Sequence, residues 1–205
     1  MNSEESALGV TFHKAPESFG AWAFRNRSWL PVPLAVAVIL LGRHLSPSPV
    51  GLFAGAAIIA AGQAVRFWAV RHIGTISRTR AARTGPLVTT GPYALVRNPL
   101  YVGNWCLWTG VVICSQVLWM LPVAWVVFML QYGAIAAWEE RLMLERYPNY
   151  REYLCTVPGW FPRLLSAGRA IGTAARPHPW SLVFFSERGT LMAIAVVAAL
   201  LALRH

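Results

Sequence analysis

With 205 residues, 56% of them hydrophobic and only 13% charged, the chain is too apolar for an ordinary soluble domain and long enough for one membrane domain. Its net charge of +10 comes from 17 Arg and a single Lys, Lys14, against 8 Glu and no Asp; the arginines flank apolar runs, which fits phospholipid headgroups and argues against a nucleic-acid-binding face. Three scattered cysteines make no disulfide framework, and His13, His44, His72, His178 and His205 have no neighbour at metal-ligand spacing, so neither a disulfide scaffold nor a metal is expected.

Residues 1–28 mix Glu4, Glu5, Glu17, Lys14, Arg25 and Arg27 and lack the basic start and apolar stretch of a secretory signal. They read as a cytoplasmic N-terminal tail, with residues 29–205 forming a single membrane domain. Apolar runs follow at about 29–45, 50–70, 100–115, 118–137 and 189–203. Some fall short of the ~20 residues that cross a bilayer upright, so the boundaries are approximate. The expected fold is an all-α integral membrane helical bundle of about five transmembrane helices.

Within the second run, Gln63 and Arg66 share one helical face. Arg66 either snorkels to the interface, since the run ends about a turn later, or lines a pocket; both readings stay open. The third and fourth runs are separated only by Ser115, Gln116 and Val117, which predicts a tight helical hairpin that returns its two remote ends to the same depth. Small residues at Gly51, Gly55 and Gly62 permit close helix contact, within one chain or between chains. The segment from Arg141 to Trp180, with Tyr147, Tyr150 and Tyr153 spaced by three, reads as containing a short amphipathic helix on the membrane surface.

Orientation follows from the basic residues. The tail holds three, the stretch Arg71 to Arg97 five, and the stretch Arg141 to Arg188 seven, against Arg43 and Arg204 on the other side. Excess positive charge stays in the cytoplasm, so a multi-pass protein with its N-terminus and polar connections on the cytoplasmic side is expected.

Two polar clusters could carry chemistry. The first runs from Gly91 to Gly103. Gly91-Pro92 signals a turn, and Pro99 suits a first helical turn because its missing N–H costs nothing there. Asn98 is then a candidate helix cap, although it is equally a site candidate. A helix start at this depth offers unpaired N–H groups and a partial positive charge beside Arg97, which reads either as an anion site or as a lipid-phosphate contact. The second cluster is Trp138 to Glu145, at the far end of the fourth run. Adjacent helical residues point about 100° apart, so Glu139 and Glu140 cannot meet the same partner. The hairpin brings these carboxylates to the depth of Arg97, Asn98 and Tyr101.

These clusters, with the hairpin between them, resemble the isoprenylcysteine carboxyl methyltransferase family and its relatives among the phospholipid methyltransferases. The resemblance covers about residues 60–165. It includes Gly85-Pro86-Leu87-Val88, Arg97-Asn98-Pro99-Leu100-Tyr101, Glu139-Glu140 and the Val157 to Pro162 ending. It implies S-adenosyl-L-methionine bound at the cytoplasmic helix ends and a lipophilic small molecule or lipid reaching it from the bilayer. The cofactor site implied is Gly85, Pro86, Leu87, Val88, Tyr93, Arg97, Asn98, Pro99, Leu100, Tyr101 and Glu139. Arg97 and Glu140 are the expected catalytic pair, for substrate orientation and proton acceptance.

Two positions depart from the family pattern. Asn98 stands where His is usual, and it can hydrogen-bond but not titrate. Ile135 stands where the eukaryotic enzymes place an Arg that meets the substrate carboxylate, so an isoprenylcysteine carboxylate is not the natural expectation here. Methyl transfer to an O, N or S nucleophile is the leading reading. An NADPH-dependent reductase on a similar scaffold and a non-enzymatic descendant are the alternatives; the nucleotide that binds separates them.

Overall fold

The computed structural model describes residues 18–46, 48–74, 87–162 and 177–203. Gly85 and Pro86 lie outside these. Among the described residues there are seven α-helices and no strand: α1 (Phe19–Asn26), α2 (Pro31–Gly42), α3 (Pro49–Ile73), α4 (Pro99–Cys114), α5 (Leu121–Arg146), α6 (Tyr150–Thr156) and α7 (Trp180–Ala202). The fold is the expected all-helical membrane bundle. Helices α3, α5 with its 3-10 lead-in, and α7 are long and apolar enough to cross a membrane, while α2 and α4 are shorter apolar helices. Proline occupies the first turn of α2, α3, α4 and α5, where it fixes a helical φ and gives up an N–H that has no partner in any case. Phe53, Val126 and Leu130 are exposed on the bundle's outer faces, an apolar surface suited to lipid.

Helices α3 and α4 form the tightest pair, and glycine is the reason. Gly55 and Gly62 on α3 meet Gly110 and Gly103 on α4 with matching seven-residue spacing in antiparallel order. A Cβ on Gly110 would lie 2.6 Å from the Gly55 carbonyl oxygen, and one on Gly103 would lie 2.8 Å from that of Gly62. In lipid such backbone approach is a main source of helix association. Two of the three glycines singled out in the second run therefore pack against α4 within the chain, and Gly51 faces the Gln116 side chain.

The predicted hairpin is present between α4 and α5. Gln116 is held at φ 66, the left-handed region, and its side-chain amide donates to the Ile113 carbonyl at 3.0 Å. Ser115, fully buried, donates to the Val112 carbonyl at 2.7 Å. The α4 start and the α5 end accordingly lie side by side.

Three elements differ from the expectation or refine it. The last helix begins at Trp180, about two turns earlier than the apolar run suggests, because Ser186, Glu187 and Arg188 interrupt the hydropathy without breaking the helix. Residues 19–26, within the expected tail, form α1 and pack on α5: a Cβ on Gly20 would lie 2.5 Å from the Ala134 carbonyl oxygen, and the Phe24 ring lies 5.0 Å from that of Trp138, tilted by 45°. Helix α6 exists where the amphipathic segment was expected, but Tyr150 and Tyr153 turn inward onto Leu87 and Met143.

Candidate active site

Residues 95–98 join the 3-10 turn Gly91–Ala94 to the start of α4, and that turn depends on Gly91, whose φ of 63 and contact with the His72 ring leave no room for a Cβ. Asn98 occupies the N-cap position of α4, as the sequence suggests, yet its side chain makes no cap bond. It donates instead to the Gly159 carbonyl at 3.2 Å. Arg97 is similarly committed. Its Nε and Nη2 both reach Glu140 Oε1 at 2.9 Å, and Nη1 donates to the carbonyls of Leu154 at 3.1 Å and Val157 at 2.6 Å. The Arg97 backbone N–H donates to the Pro158 carbonyl at 2.8 Å. The Arg-Asn pair thus straps the Val157–Pro158–Gly159 segment across the start of α4 and the end of α5. Arg97 is a fixed wall of the site, with its guanidinium charge balanced.

Glu139 and Glu140 take different partners, as their 100° separation requires. Tyr101 donates its hydroxyl to Glu139 Oε2 at 2.7 Å, and its ring lies 4.9 Å from that of Tyr132. Tyr93 is buried, and its hydroxyl has no hydrogen-bond partner. Burial pushes that hydroxyl far above the usual tyrosine range, with Tyr153 and Glu139 adding to the shift and Arg66 opposing it. Tyr153 is pushed up in the same way, chiefly by burial, and its hydroxyl donates to the Tyr93 carbonyl at 2.7 Å.

A second polar group lies deeper in the bundle. Arg66 on α3 meets Glu187 on α7 bidentately, Nε to Oε2 and Nη2 to Oε1, both at 2.8 Å. Gln63 donates to Glu187 Oε2 at 3.1 Å, Arg66 Nη2 reaches Thr190 at 3.2 Å, and Arg66 Nη1 donates to Asn104 on α4. Asn104 in turn donates to the Tyr132 hydroxyl on α5 at 3.0 Å. Four helices are tied at one level. Of the two readings left open for Arg66, the pocket-lining one describes this arrangement: its charge is met by a carboxylate inside the bundle. Gly103 makes the room, since a Cβ there would lie 2.5 Å from Arg66 Cγ.

Both groups line one cavity of about 990 Å³. Leu87, Val88, Tyr93, Arg97, Asn98, Pro99, Leu100, Tyr101, Glu139 and Glu140 lie on its wall, so all the described members of the sequence-derived set are brought together. The cavity continues between α2, α4 and α7 along Val32, Val36, Leu107, Trp108, Val111, Met192 and Val196. Ile135 is not on it; fully buried, it packs in the cluster of Ala23, Phe24, Phe128 and Tyr132.

Sequence reasoning left out Asn104, Tyr132, Ser186, Glu187 and Thr190. Glu187 had a signal: a carboxylate in an otherwise apolar helix needs a partner, and Arg66 was the arginine already placed in a span. Among the described residues no group of three or more His, Cys, Asp or Glu side chains is placed to share a metal ion.

The chain is 33% identical over 99 residues to the cobalt-zinc-cadmium resistance protein CzcN of Cupriavidus metallidurans, covering 48% of this chain and 43% of that protein. It is 31% identical, also over 99 residues, to the nickel-cobalt-cadmium resistance protein NccN of Alcaligenes xylosoxydans xylosoxydans, 44% of which is covered. The chain thus spans less than half the length of the curated relatives it matches. No solved structure matches it. The sequence model of the phospholipid methyltransferase family matches residues 50–150, from the start of α3 to the start of α6. That stretch carries the α3–α4 glycine interface, the 3-10 turn, the Arg97–Tyr101 segment, the hairpin and both glutamates, and with it the chain belongs to the phospholipid methyltransferase family.

Proposed function

We propose that the protein is a membrane methyltransferase that uses S-adenosyl-L-methionine and acts on a lipophilic acceptor drawn from the bilayer, with its site at the cytoplasmic helix ends. The observation that carries this reading is the cavity itself. One continuous space joins the carboxylate and hydroxyl groups of Tyr93, Tyr101 and Glu139 to the apolar faces of α2, α4 and α7. A two-substrate reaction between a polar nucleotide donor and an apolar acceptor needs both walls in one chamber.

The residues present fit the donor. The buried, unpartnered Tyr93 hydroxyl suits a ribose hydroxyl, the Glu139 carboxylate suits the ammonium, and the adjoining rings of Tyr101 and Tyr132 offer a π-rich wall to a sulfonium. Leu87 and Val88 line the same cavity, and the proposed site extends to Gly85 and Pro86. When bound, adenosylmethionine supplies an already activated methyl group. The protein's own task is then alignment in a water-poor cleft, where positioning contributes most of the acceleration. Arg97 and Asn98 hold the Val157–Gly159 segment against the helix ends that carry the site. Both Arg97 contacts run to Glu140 Oε1, leaving Oε2 as the atom we assign to take the proton that the acceptor releases.

The test is thermal unfolding of the detergent-purified full chain with adenosylmethionine, adenosylhomocysteine and NADPH, since a ligand that binds only the folded state raises its stability. Stabilisation by the first two and not by NADPH is expected. A response to NADPH alone would replace this reading with a reductase.

A further inference from the structure

The polar group around Arg66 lies on the same chamber as the cofactor cluster, where the apolar faces of α4 and α7 begin. Its charge balance is informative. Arg66 is met bidentately by Glu187 at 2.8 Å through both carboxylate oxygens, and the Glu187 side chain is only 2% exposed. Gln63 adds a further donor to the same carboxylate at 3.1 Å. Arg97, the cation of the cofactor cluster, is balanced by Glu140 and two backbone carbonyls. Arg27, also on the chamber wall, lies 4.1 Å above the Phe24 ring.

An anionic head group settling near Arg66 would have to break a bidentate carboxylate contact, and a cationic one would compete with the guanidinium for Glu187. Breaking such a pair strands a charge in low dielectric, which is far costlier than leaving it intact. What the wall does offer is Ser186. It is 2% exposed, lies on the chamber, and its hydroxyl has no partner. A buried hydroxyl without a partner is a standing cost that a ligand able to donate and accept would remove.

Resting on the methyltransferase reading for its chemistry, we propose that Ser186, with the neutralised Arg66–Glu187 pair behind it, seats an uncharged hydroxyl head group, an alcohol or phenol, of a molecule whose apolar body lies along Leu107, Trp108 and Met192. The acceptor class is thus a neutral hydroxyl compound, and carboxylates, phosphates and ammonium groups are disfavoured.

The test uses three probes of one chain length, 4-dodecylphenol, 4-dodecylbenzoate and 4-dodecylbenzylammonium, read by thermal unfolding of the detergent-purified full chain. The phenol is expected to stabilise at a concentration at least tenfold lower than either charged probe. Ser186→Ala should raise the phenol concentration needed by about fivefold while leaving the response to adenosylhomocysteine unchanged. Glu187→Gln, which leaves Arg66 uncompensated, should reverse the preference toward the benzoate; if that variant does not fold, Ser186→Ala alone decides. A benzoate or ammonium response equal to that of the phenol, or no effect of Ser186→Ala, overturns the proposal. The two readings fail separately: adenosylhomocysteine binding without the phenol preference removes only the seat, and the reverse result removes only the cofactor.

Discussion

Glu139 accepts from Tyr101 through one oxygen and faces the chamber, so Glu139→Gln keeps the shape and an acceptor for Tyr101 while removing the charge. A hydrogen bond to a charged group is worth about 1.5–3 kcal/mol, so adenosylhomocysteine affinity should fall roughly ten- to a hundredfold, measured by titration calorimetry on folded protein. Unchanged affinity would remove Glu139 from the cofactor site. Tyr93, Tyr150 and Tyr153 are all shifted upward, chiefly by burial. Above about pH 10 the unfolded chain releases phenolic protons that the folded chain retains, so the unfolded state binds fewer protons and stability falls as pH rises. Tyr153→Phe removes one such group and should flatten the decline between pH 9 and pH 11, even though it starts from a lower Tm; parallel declines would contradict this. At this scale the sequence was readable where a side chain meets a side chain, as with Tyr101 and Glu139. It was unreadable where Arg97 and Asn98 spend their donors on backbone carbonyls of residues 154–159, because a carbonyl is the same group in every residue.

The glycine pairs make the α3–α4 contact sensitive to a single carbon. Gly103→Ala places a Cβ 2.5 Å from Arg66 Cγ and 2.8 Å from the Gly62 carbonyl oxygen, and overpacking of this kind costs about 1–3 kcal/mol. Gly133 on α5 is the matched control, with nothing within 4 Å of the added carbon. Gly133→Ala should be neutral or raise stability by up to about 1 kcal/mol through helix propensity. Equal effects of the two substitutions on Tm would show that the close approach does not govern stability. The five apolar runs and the hairpin were legible because hydropathy and turn chemistry are local. The true start of α7 was hidden by Glu187 and Arg188: the buried Glu187 finds its counterion on a helix 121 residues earlier, and Arg188 is exposed over the Phe185 ring. His72 and His178, isolated in sequence, flank the Gly74 and Gly91 turns, since folding rather than spacing brings them there.

At the scale of the whole molecule, the fifteen-to-two division of basic residues supports a cytoplasmic chamber, and Cys155 reports on it directly. That thiol is exposed, whereas Cys114 is buried and Cys106 half-buried. A membrane-impermeant maleimide should label Cys155 in inverted vesicles and not in intact cells; labelling from outside would invert the topology. The Arg66–Glu187 pair also bears on biogenesis. An arginine or glutamate alone in a span costs roughly 2.5–3.5 kcal/mol on insertion scales. Arg66 is synthesised with α3, while its partner emerges only with α7, after α4, α5 and α6. During translation the early helices therefore carry an open charge, and docking of the last helix closes it. Arrival of α7 therefore completes the charge balance of the bundle: a chain halted before Trp180 retains an intramembrane cation without its carboxylate.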